Sequence, residues 1–295
     1  MILKIDNISK NFGRKVALKD ISFSLEDGVY GLLGDNGAGK STLMRILTTV
    51  LKPSSGRVEV DGNSIKVLGD KYRSLLGYMP QEFFVYPTLT ARGFLEYMGS
   101  LKGINEKDLK NKIDEVLEFV NLKEVANKRV VTFSGGMKRR IGIAQAIIND
   151  PKIIILDEPT AGLDPQERIR FLNILGDMGK NRIIIISTHI VSEIEAISRD
   201  VIVMKKGKLV EKGDIDTLVE TMNNRVWEAE VKPNYLKEIE KNNPIIRMKR
   251  KNEKIRIRYV GEKIEEIENK KVLPTLEDYY VYNNNKIGGK NEKNN

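Results

Sequence analysis

The order of hydrophobic and polar residues divides the first 150 residues into two regions. Residues 1–80 read as short strands and tight turns, because "LKIDNISKNF" and "ALKDISFSL" alternate apolar with polar positions and "EDG" and "VDG" are hairpin signals. From about 85 to 150 the pattern becomes helical, and "DLKNKIDEVLEFVNL" carries apolar residues at i, i+3, i+4 and i+7. These patterns predict an N-terminal antiparallel β subdomain followed by a helical subdomain.

A different pattern begins at residue 151, where hydrophobic runs alternate with amphipathic segments. The runs "KIIILDEP", "RIIIIST" and "VIVMKKGKLV" are continuous in aliphatic residues rather than alternating. Such runs are typical of parallel strands that helices cover on both faces. The sequence therefore predicts an α/β fold with a mainly parallel sheet, into which the helical subdomain at about 85–150 is inserted.

The hydrophobic pattern breaks again near residue 220, at "TMNNR", and predicts a second domain. Beyond the break "WEAEVK", "IIRMKR" and "KIRIRYV" read as strands, whereas "GEKIEEIENKK" and "TLEDYYVY" read as helices. We therefore expect a first domain over 1–220 and a small α+β domain over 221–283. Residues 284–295 are rich in Asn and Lys and lack apolar anchors, which predicts a disordered tail.

Composition narrows the class of protein. The chain has 295 residues, a formal net charge of +9 and no cysteine, which excludes disulfides and thiolate metal sites. The longest aliphatic runs, such as Ile183–Ile186, are far shorter than the roughly 18 residues that a membrane span needs. Because "MILK" leads directly into an alternating strand, we expect no secretory leader. These features predict a cytoplasmic protein.

Positive charge is concentrated in "RMKRKNEKIRIR", residues 247–258, which contain seven basic residues and one acidic residue. A basic patch of this kind is suited to nucleic acid, an anionic membrane surface or an acidic protein. Aromatic side chains, on which bases would stack, are not interleaved with these residues. We therefore interpret the stretch as the solvated face of a small sheet, and we do not expect nucleic acid as a partner.

Three motifs carry the candidate chemistry, and the first is "GDNGAGKST". It fits the phosphate-binding pattern G-x-x-x-x-G-K-[ST] between a predicted strand and a predicted helix, which identifies the α/β core as a P-loop NTPase. The glycines let backbone N–H groups approach phosphate oxygens, the lysine reaches the β- and γ-phosphates, and the serine hydroxyl binds Mg²⁺. The candidate nucleotide-binding residues are Gly34, Asp35, Asn36, Gly37, Ala38, Gly39, Lys40, Ser41 and Thr42.

The second motif, "IIILDEPT", is a hydrophobic strand that ends in two carboxylates. Ligands of α/β proteins bind beyond the carboxyl ends of the strands, so these side chains are expected beside the nucleotide. Asp157 is a candidate Mg²⁺ ligand, acting through water. Glu158 is a candidate general base that orients or deprotonates the attacking water.

The third motif, "FSGGMKRR", predicts a second anion-binding helix terminus. Ser134 is suited to cap the helix, and Gly135 and Gly136 leave backbone N–H groups open to an anion. The helix that follows continues as "MKRRIGIAQAII" up to Asp150 and Pro151.

In this order, "GDNGAGKST", "SGGM", "LDEP", "AGLD" and "STH" resemble the ATP-binding subunits of ABC transporters over roughly residues 1–220. The "SGG" element, which lies between "GDNGAGKST" and "LDEP", is specific to that family. The resemblance implies that Phe12 stacks on adenine and that Gln81, in "YMPQ", contacts Mg²⁺ and senses the membrane partner. It also implies that His189, the only histidine, binds the γ-phosphate, and that Asp164 belongs to the D-loop at a dimer interface.

The resemblance further implies an ATP hydrolase that uses ATP and Mg²⁺ and works as a homodimer. By this resemblance the two copies are expected to pair head to tail, with ATP between Lys40 of one copy and the Ser134, Gly135 and Gly136 of the other. The resemblance also implies a permease that is a separate membrane protein, and a chain that is peripheral to the inner face of the cell membrane. "LPTLEDYYVY", residues 273–282, resembles the tail motif of ATPases from drug-, ion- and lantibiotic-export systems and so favours export.

Three residues depart from the family pattern. Asp35 replaces the commoner proline, and its carboxylate is expected to point away from phosphate because like charges repel. Phe133 and Met137 replace the usual leucine and glutamine around "SGG", which puts a side-chain hydrogen bond from Met137 in doubt.

Two alternatives stay open. One is a soluble non-transport ABC ATPase that acts on nucleic acid or ribosomes, which only the basic stretch 247–258 favours; stimulation of hydrolysis by either would support it. The other is a regulatory cassette without catalysis, which Glu158 and His189 disfavour and which a phosphate-release assay would distinguish.

Overall fold

The computed structural model describes residues 1–289, which divide into two compact units at Lys212/Gly213. Helix α9 (Ile215–Glu220), which the sequence assigns to the first domain, packs against helix α11 (Leu276–Gly289) of the second unit. The domain boundary after residue 220 stays a prediction.

Two sheets form the first unit. Its strands are β1 (Leu3–Phe12), β2 (Lys15–Leu25), β3 (Gly28–Leu33), β4 (Ser55–Val60), β5 (Asn63–Ser64), β6 (Leu76–Met79), β7 (Ile153–Asp157), β8 (Ile183–Ser187), β9 (Asp200–Lys205) and β10 (Lys208–Asp214). The first sheet is antiparallel with the order β2-β1-β4-β5, and the second has the order β10-β9-β3-β8-β7-β6. Strands β9, β3, β8, β7 and β6 run parallel, so the predicted fold class is confirmed.

One predicted turn has a different role from the expected one. The "VDG" turn does join β4 to β5 as a hairpin, whereas "EDG" links β2 to β3, which lie in different sheets. The hairpin expectation for "EDG" was therefore wrong. A turn signal marks a change of direction and carries no information about the sheet that the next strand enters.

The helices of the first unit follow the strand ends or form the insertion. They are α1 (Lys40–Leu47), α2 (Ile65–Leu68), α3 (Asp70–Ser74), α4 (Ala91–Leu101), α5 (Glu106–Phe119), α6 (Gly135–Ile147), α7 (Pro165–Met178) and α8 (Val191–Ile197). Helices α4, α5 and α6 pack on one another and confirm the predicted helical subdomain. The Thr90 and Asn105 side chains cap α4 and α5 by accepting from the backbone N–H groups of Gly93 and Lys107.

The two central strands carry the core that positions the site. Every residue of β7 and of β8 is buried. Burying one aliphatic side chain stabilises a fold by about 1.5–3 kcal/mol, so the isoleucine runs of these strands form a rigid platform. Because both strands are parallel and paired in register, Asp157 and Ser187 lie side by side at their carboxyl ends.

The second unit is a small α+β structure. Beyond α9 and α11 it contains β11 (Val226–Val231), α10 (Leu236–Asn242), β12 (Ile245–Lys251), β13 (Lys254–Val260) and β14 (Asn269–Lys271). The sheet is antiparallel with the order β12-β13-β11-β14, and its core is formed by Ala229, Val231, Ile239, Ile257 and Tyr259.

The helix predicted for "GEKIEEIENKK" is absent from the structure. The segment is a loop that ends in β14, and the Asn269 amide donates to the carbonyls of Ile264 and Ile267 at 2.5 and 2.7 Å. Ile264 and Ile267 pack on the core from this loop. Their spacing of three residues imitates a helical stripe, which explains the wrong prediction.

The C-terminal helix is longer than expected. Helix α11 extends to Gly289, so residues 284–289, which the sequence predicts as disordered, are helical; residues 290–295 lie outside the described residues. Contacts with β12 and β13 stabilise the helix in a way that a polar sequence does not indicate. No helix within residues 1–289 is long and apolar enough to cross a membrane.

The basic stretch 247–258 forms the β12–β13 hairpin, and carboxylates pair with several of its cations. Glu230 pairs with Lys251 and Arg256, and the α11 residues Glu277 and Asp278 pair with Arg247 and Arg258. These ion pairs agree with the interpretation of the stretch as one face of a small sheet.

Candidate functional site

The phosphate-binding loop connects β3 to α1. Gly37 and Gly39 have φ angles of 80° and 102°, in the left-handed region that glycine adopts without strain. A Cβ atom on Gly39 would lie 2.7 Å from the Leu18 side chain and 2.9 Å from the Ala17 carbonyl oxygen, whereas a Cβ on Gly37 would contact nothing within 4 Å. Packing therefore requires glycine at 39, and the backbone at 37 faces open space.

Lys40 folds back over this loop. Its Nζ donates to the carbonyl oxygens of Gly34 and Asp35 at 2.6 and 3.2 Å. Burial lowers the pKa of the Lys40 amine, and the nearby carboxylates of Asp157 and Glu158 act in the opposite direction. The amine is thus a partly desolvated cation beside two acidic side chains, which is a suitable environment for holding phosphate oxygens.

A cavity of about 600 Å³ opens beside the loop. It is lined by Phe12, Lys15, Val16, Ala17, Asn36, Gly37, Gly39, Lys40, Ser41, Thr42, Gln81, Asp157, Glu158, Lys206 and Gly207. The structure therefore brings together the predicted adenine-contacting, phosphate-binding and metal-binding side chains, although they come from distant parts of the chain. Gly34, Asp35 and Ala38 complete the loop behind this lining.

Phe12 and Asp35 are both exposed, but only Phe12 lines the cavity. Phe12 leaves 48% of its surface exposed, which suits stacking on an aromatic base, and Lys10 Nζ lies over the same ring, 5.2 Å from its centre. The Asp35 side chain is exposed and does not line the cavity. This position agrees with the expectation that its carboxylate avoids the phosphates.

Asp157 is held in place at the end of β7. It is 3% exposed, and its Oδ1 accepts a hydrogen bond of 2.5 Å from the Ser187 hydroxyl on β8. Ser41 and Gln81 line the same cavity. A serine hydroxyl, an amide oxygen and one carboxylate are oxygen donors of the kind that Mg²⁺ takes together with nucleotide phosphates and water.

No group of three or more acidic or histidine side chains that could hold a metal was found among residues 1–289. The donor set of Ser41, Gln81 and Asp157 fits a Mg²⁺ ion that arrives with its nucleotide.

Glu158 has an unusual backbone conformation. Its φ angle is 51°, a left-handed conformation that costs a non-glycine residue about 1–3 kcal/mol. Its N–H donates to the Ser187 carbonyl at 2.9 Å, and its own carbonyl accepts from the Arg139 guanidinium. These two contacts hold the strained residue so that its carboxylate reaches the cavity.

His189 lies next to this carboxylate. Its Nδ1 is 3.5 Å from Glu158 Oε1, and 67% of the side chain is exposed. The histidine does not line the cavity itself, so the structure brings it to the general-base candidate rather than to the phosphate loop.

Sequence reasoning missed Arg139, which contacts three residues in two functional segments, Gln81 and the Asp157–Glu158 strand end. Its guanidinium donates to the carbonyl oxygens of Gln81 at 2.7 Å and Asp157 at 3.0 Å, as well as to that of Glu158. Burial lowers the pKa of this guanidinium. The residue was visible within "FSGGMKRR", but only the fold reveals which of the three basic residues of this motif donates to the carbonyls of Gln81, Asp157 and Glu158.

The "SGG" element lies apart from the cavity of its own chain. Ser134 caps α6 by accepting from the Met137 N–H at 3.2 Å, and the cavity lining includes neither Ser134 nor Gly135 nor Gly136. A Cβ on Gly135 would meet no atom within 4 Å, so its backbone faces open space. The exposed helix terminus is free to meet an anion held elsewhere.

Asp164 has a local structural role. Its Oδ1 accepts from the backbone N–H groups of Gln166 and Glu167 at 3.1 and 3.0 Å and so caps α7. The loop before it approaches the "SGG" element closely, because a Cβ on Gly136 would lie 3.0 Å from the Gly162 carbonyl oxygen. The role of Asp164 at a dimer interface stays a prediction.

Comparison with known proteins agrees with this geometry. The model of the ABC transporter family matches residues 18–161. An uncharacterized ABC transporter ATP-binding protein of Bacillus subtilis (strain 168), YxlF, is 38% identical over 234 residues, which are 78% of this chain and 77% of that protein. The linearmycin resistance ATP-binding protein LnrL of the same organism is 39% identical over 214 residues, covering 72% of this chain and 69% of LnrL.

A solved structure is also similar. The ATP-binding cassette MJ0796, in a dimeric post-hydrolysis state bound to ADP and Pi, matches with a TM-score of 0.66 and 25% identity over 72% of this chain and 98% of that one. The P-loop, the strand-end carboxylates and the "SGG" helix of this chain thus occur within the same overall fold. The chain belongs to the ABC transporter family and is one of its ATP-hydrolysing, ATP-binding proteins.

Proposed function

We propose that two copies of this chain close around Mg²⁺ and ATP and thereby drive a separately encoded membrane permease. The observation that carries the proposal is the separation of two anion-binding elements. The cavity holds Lys40, Ser41, Asp157 and Glu158, whereas Ser134 and its neighbours lie outside it. A second copy is needed to bring an "SGG" terminus to the open side of the phosphates. The dimeric state of MJ0796 supports this arrangement.

Within each pocket the side chains have distinct roles. Lys40 and the loop amides bind the β- and γ-phosphates, and Phe12 stacks on adenine. Ser41, Asp157 and Gln81 would hold Mg²⁺, which would supply positive charge against the phosphate oxygens.

Water attack depends on the strained strand end. Glu158 orients the attacking water and accepts its proton, as its position beside Lys40 and Asp157 allows. His189, whose Nδ1 lies 3.5 Å from the Glu158 carboxylate, binds the γ-phosphate when the pair closes. The partner copy's "SGG" helix terminus stabilises the charge that develops on the γ-phosphate.

Exposed aromatic side chains support a membrane partner. Phe84 and Tyr86, which follow Gln81, are 84% and 52% exposed, and Tyr97 on α4 is 43% exposed. The Tyr86 and Tyr97 rings pack edge to face with centroids 5.3 Å apart. Exposed aromatic residues of this kind are typical of interfaces, and we assign them to the permease at the cytoplasmic side of the cell membrane.

We further propose export as the direction of transport. The "LPTLEDYYVY" tail resembles that of exporting ATPases, and LnrL is a resistance protein by name. In this structure the motif begins α11, where the Asp278 carboxylate accepts from the Thr275 N–H at 2.8 Å and anchors the helix. Selection of the transported substrate belongs to the permease.

The test uses Glu158→Gln, which keeps the shape of the side chain and removes its basicity. We expect ATP hydrolysis to slow at least about 100-fold, equivalent to about 2.7 kcal/mol in the barrier, and a nucleotide-bound dimer to accumulate. Phosphate release and light scattering at saturating ATP and Mg²⁺ measure the two effects. Undiminished hydrolysis would refute Glu158 as the base, and a persistently monomeric variant would refute the shared pocket.

Ser134→Ala tests whether the "SGG" element acts on ATP that is bound by the other copy. Because Ser134 lies outside the cavity of its own chain, ATP affinity of the single copy should stay within about twofold of wild type, while ATP-dependent dimerisation weakens. Equilibrium binding of a fluorescent ATP analogue and scattering measure these quantities. A loss of affinity in the single copy would contradict the placement of this residue in the partner's site.

A further inference from the structure

One buried carboxylate outside the pocket joins the two loops that carry the proposed catalytic side chains. Glu193, on α8, is 3% exposed. Its Oε2 accepts hydrogen bonds from the hydroxyls of Thr160 at 2.8 Å and Thr188 at 2.7 Å. A carboxylate can only accept, so both hydroxyls must donate to it, and their orientations are fixed.

The two threonines are next to the residues that matter for hydrolysis. Thr160 follows Glu158 by two positions, and Thr188 immediately precedes His189. The Thr188 hydroxyl also accepts from the Ile190 N–H at 3.0 Å, which fixes the backbone on the other side of His189. A hydrogen-bonded chain thus runs from one loop through Glu193 to the other.

The charge of Glu193 is balanced from a third element. Arg168 on α7 places its Nε 3.3 Å from Glu193 Oε1. Helix α7 begins directly after the loop that contains Asp164. Oε2 thus accepts from the two hydroxyls, whereas Oε1 forms an ion pair with Arg168 without hydrogen-bond geometry.

We propose that Glu193 is a positioning residue for ATP hydrolysis, which fixes the Glu158 loop and the His189 loop relative to each other through Thr160 and Thr188. The inference rests on the proposed roles of Glu158 and His189. Glu193 itself does not line the cavity, so it acts through its neighbours rather than on the nucleotide. The Glu158 φ angle of 51° makes such an anchor valuable, because a strained residue keeps its conformation only when its surroundings enforce it.

The first test is Glu193→Gln. The amide keeps one oxygen for the hydroxyls but presents N–H groups to Arg168, so the anchor loosens without a change of volume. We expect kcat to fall about tenfold, whereas KM and the affinity for a fluorescent ATP analogue change less than about twofold. The matched control is Glu195→Gln, the same change at an exposed position two residues along α8, which should leave kcat unchanged.

A second measurement does not depend on hydrolysis. Hydrogen–deuterium exchange of residues 158–164 and 187–190 should rise in Glu193→Gln and not in Glu195→Gln, while the phosphate loop at 34–42 stays protected. Unchanged exchange in both loops would overturn the proposal even in a chain without ATPase activity. A general rise across the first unit would also overturn it, because that pattern indicates a purely structural residue.

The threonines give an independent check. The isosteric double variant Thr160→Val and Thr188→Val removes both donors and should lower kcat about as much as Glu193→Gln, and the triple variant should lose little more. If the loss of kcat in the triple variant equalled the product of the losses in Glu193→Gln and in the double threonine variant, the result would contradict a shared anchor. Failure of Glu158→Gln to slow hydrolysis would instead refute the proposed base, and the exchange data would still decide the role of Glu193.

Discussion

Each unit of the molecule contains a cation in a partly or largely buried position, and the two are stabilised in different ways. In the first unit, Lys102 Nζ donates to the Gln145 carbonyl and to the Asn149 side chain, both at 2.7 Å. In the second unit, Arg258 donates to both carboxylate oxygens of Asp278, which is fully buried, at 2.9 and 2.6 Å.

The pKa values of Lys102 and Arg258 shift in opposite directions. Burial lowers the pKa of the Lys102 amine to about 8, whereas the hydrogen bond to Asp278 raises the pKa of the Arg258 guanidinium. Carbonyl oxygens satisfy hydrogen bonds but carry no full charge, so they do not offset the cost of burying a cation. Lys102 contacts the last turn of α6, where an uncapped helix would leave carbonyls unsatisfied. The first unit thus uses a cation as a helix cap, and the second uses an ion pair as an anchor.

The largest effect is expected from removing the ion pair of Asp278 and Arg258, which anchors helix α11 in the second unit. Asp278→Ala removes the carboxylate that accepts two hydrogen bonds from Arg258, which keeps the Leu273 carbonyl and Glu228 at 3.9 Å, and it removes the acceptor for the Thr275 N–H. Removing one member of a buried pair costs about 3–5 kcal/mol, which should lower the unfolding transition of this unit in a calorimetric scan. Glu230→Ala is the control, because its ion pairs are largely exposed and solvent screens them, so it should shift the transition far less than Asp278→Ala. Equal effects of the two changes would refute the anchor.

A cation at the cavity should affect activity rather than folding. Lys40, like Lys102, donates to carbonyl oxygens, but it lines the pocket. Lys40→Ala should lower ATP turnover at least about 100-fold, which is about 2.7 kcal/mol, and should leave thermal stability nearly unchanged. Phosphate release and a melting curve measure the two quantities. A large drop in stability would show that Lys40 is a structural cation.

A smaller effect is expected at the helix cap. Lys102→Met fills the same space but leaves the α6 carbonyls without a donor, so unfolding free energy should fall by about 1–3 kcal/mol. Denaturant titration at neutral pH measures it. Lys180→Met, at an exposed position, is the control and should have no comparable effect.

The last expected effect is a dependence of stability on pH. The folded pKa of Lys102 is about 8 and its unfolded value is 10.5, so between these values the unfolded chain binds more protons. Stability should therefore rise as pH increases from about 8 towards 10.5. The slope should be smaller in Lys102→Met, and an identical slope in both proteins would contradict the lowered pKa.

Much of the first unit could be predicted from the sequence because its signals are local. The isoleucine runs of β7 and β8 indicate buried parallel strands, and "GDNGAGKST" indicates the phosphate loop wherever it occurs. Gly39 illustrates why: its φ of 102° and the closeness of Leu18, which would lie 2.7 Å from a Cβ atom, both require the glycine that the motif supplies.

The remaining features depend on contacts that no local pattern encodes. Glu193 and Arg139 are ordinary helix residues in the sequence, and only the packing of α6 and α8 against the strand ends gives them partners in the catalytic loops. The loop before β14 was mistaken for a helix because the hydrogen bonds of Asn269 bridge residues that the pattern treats as independent. Side-chain networks of this kind require the fold.

The placement of Ser134 outside the cavity of its own chain has a genetic consequence. In a mixed pair of the proposed homodimer, a copy altered at Lys40 and a copy altered at Ser134 would combine both defects in one pocket and leave the other pocket wild type. Two alleles that each fail alone would therefore complement each other when expressed together, whereas two alleles altered at Lys40 would not.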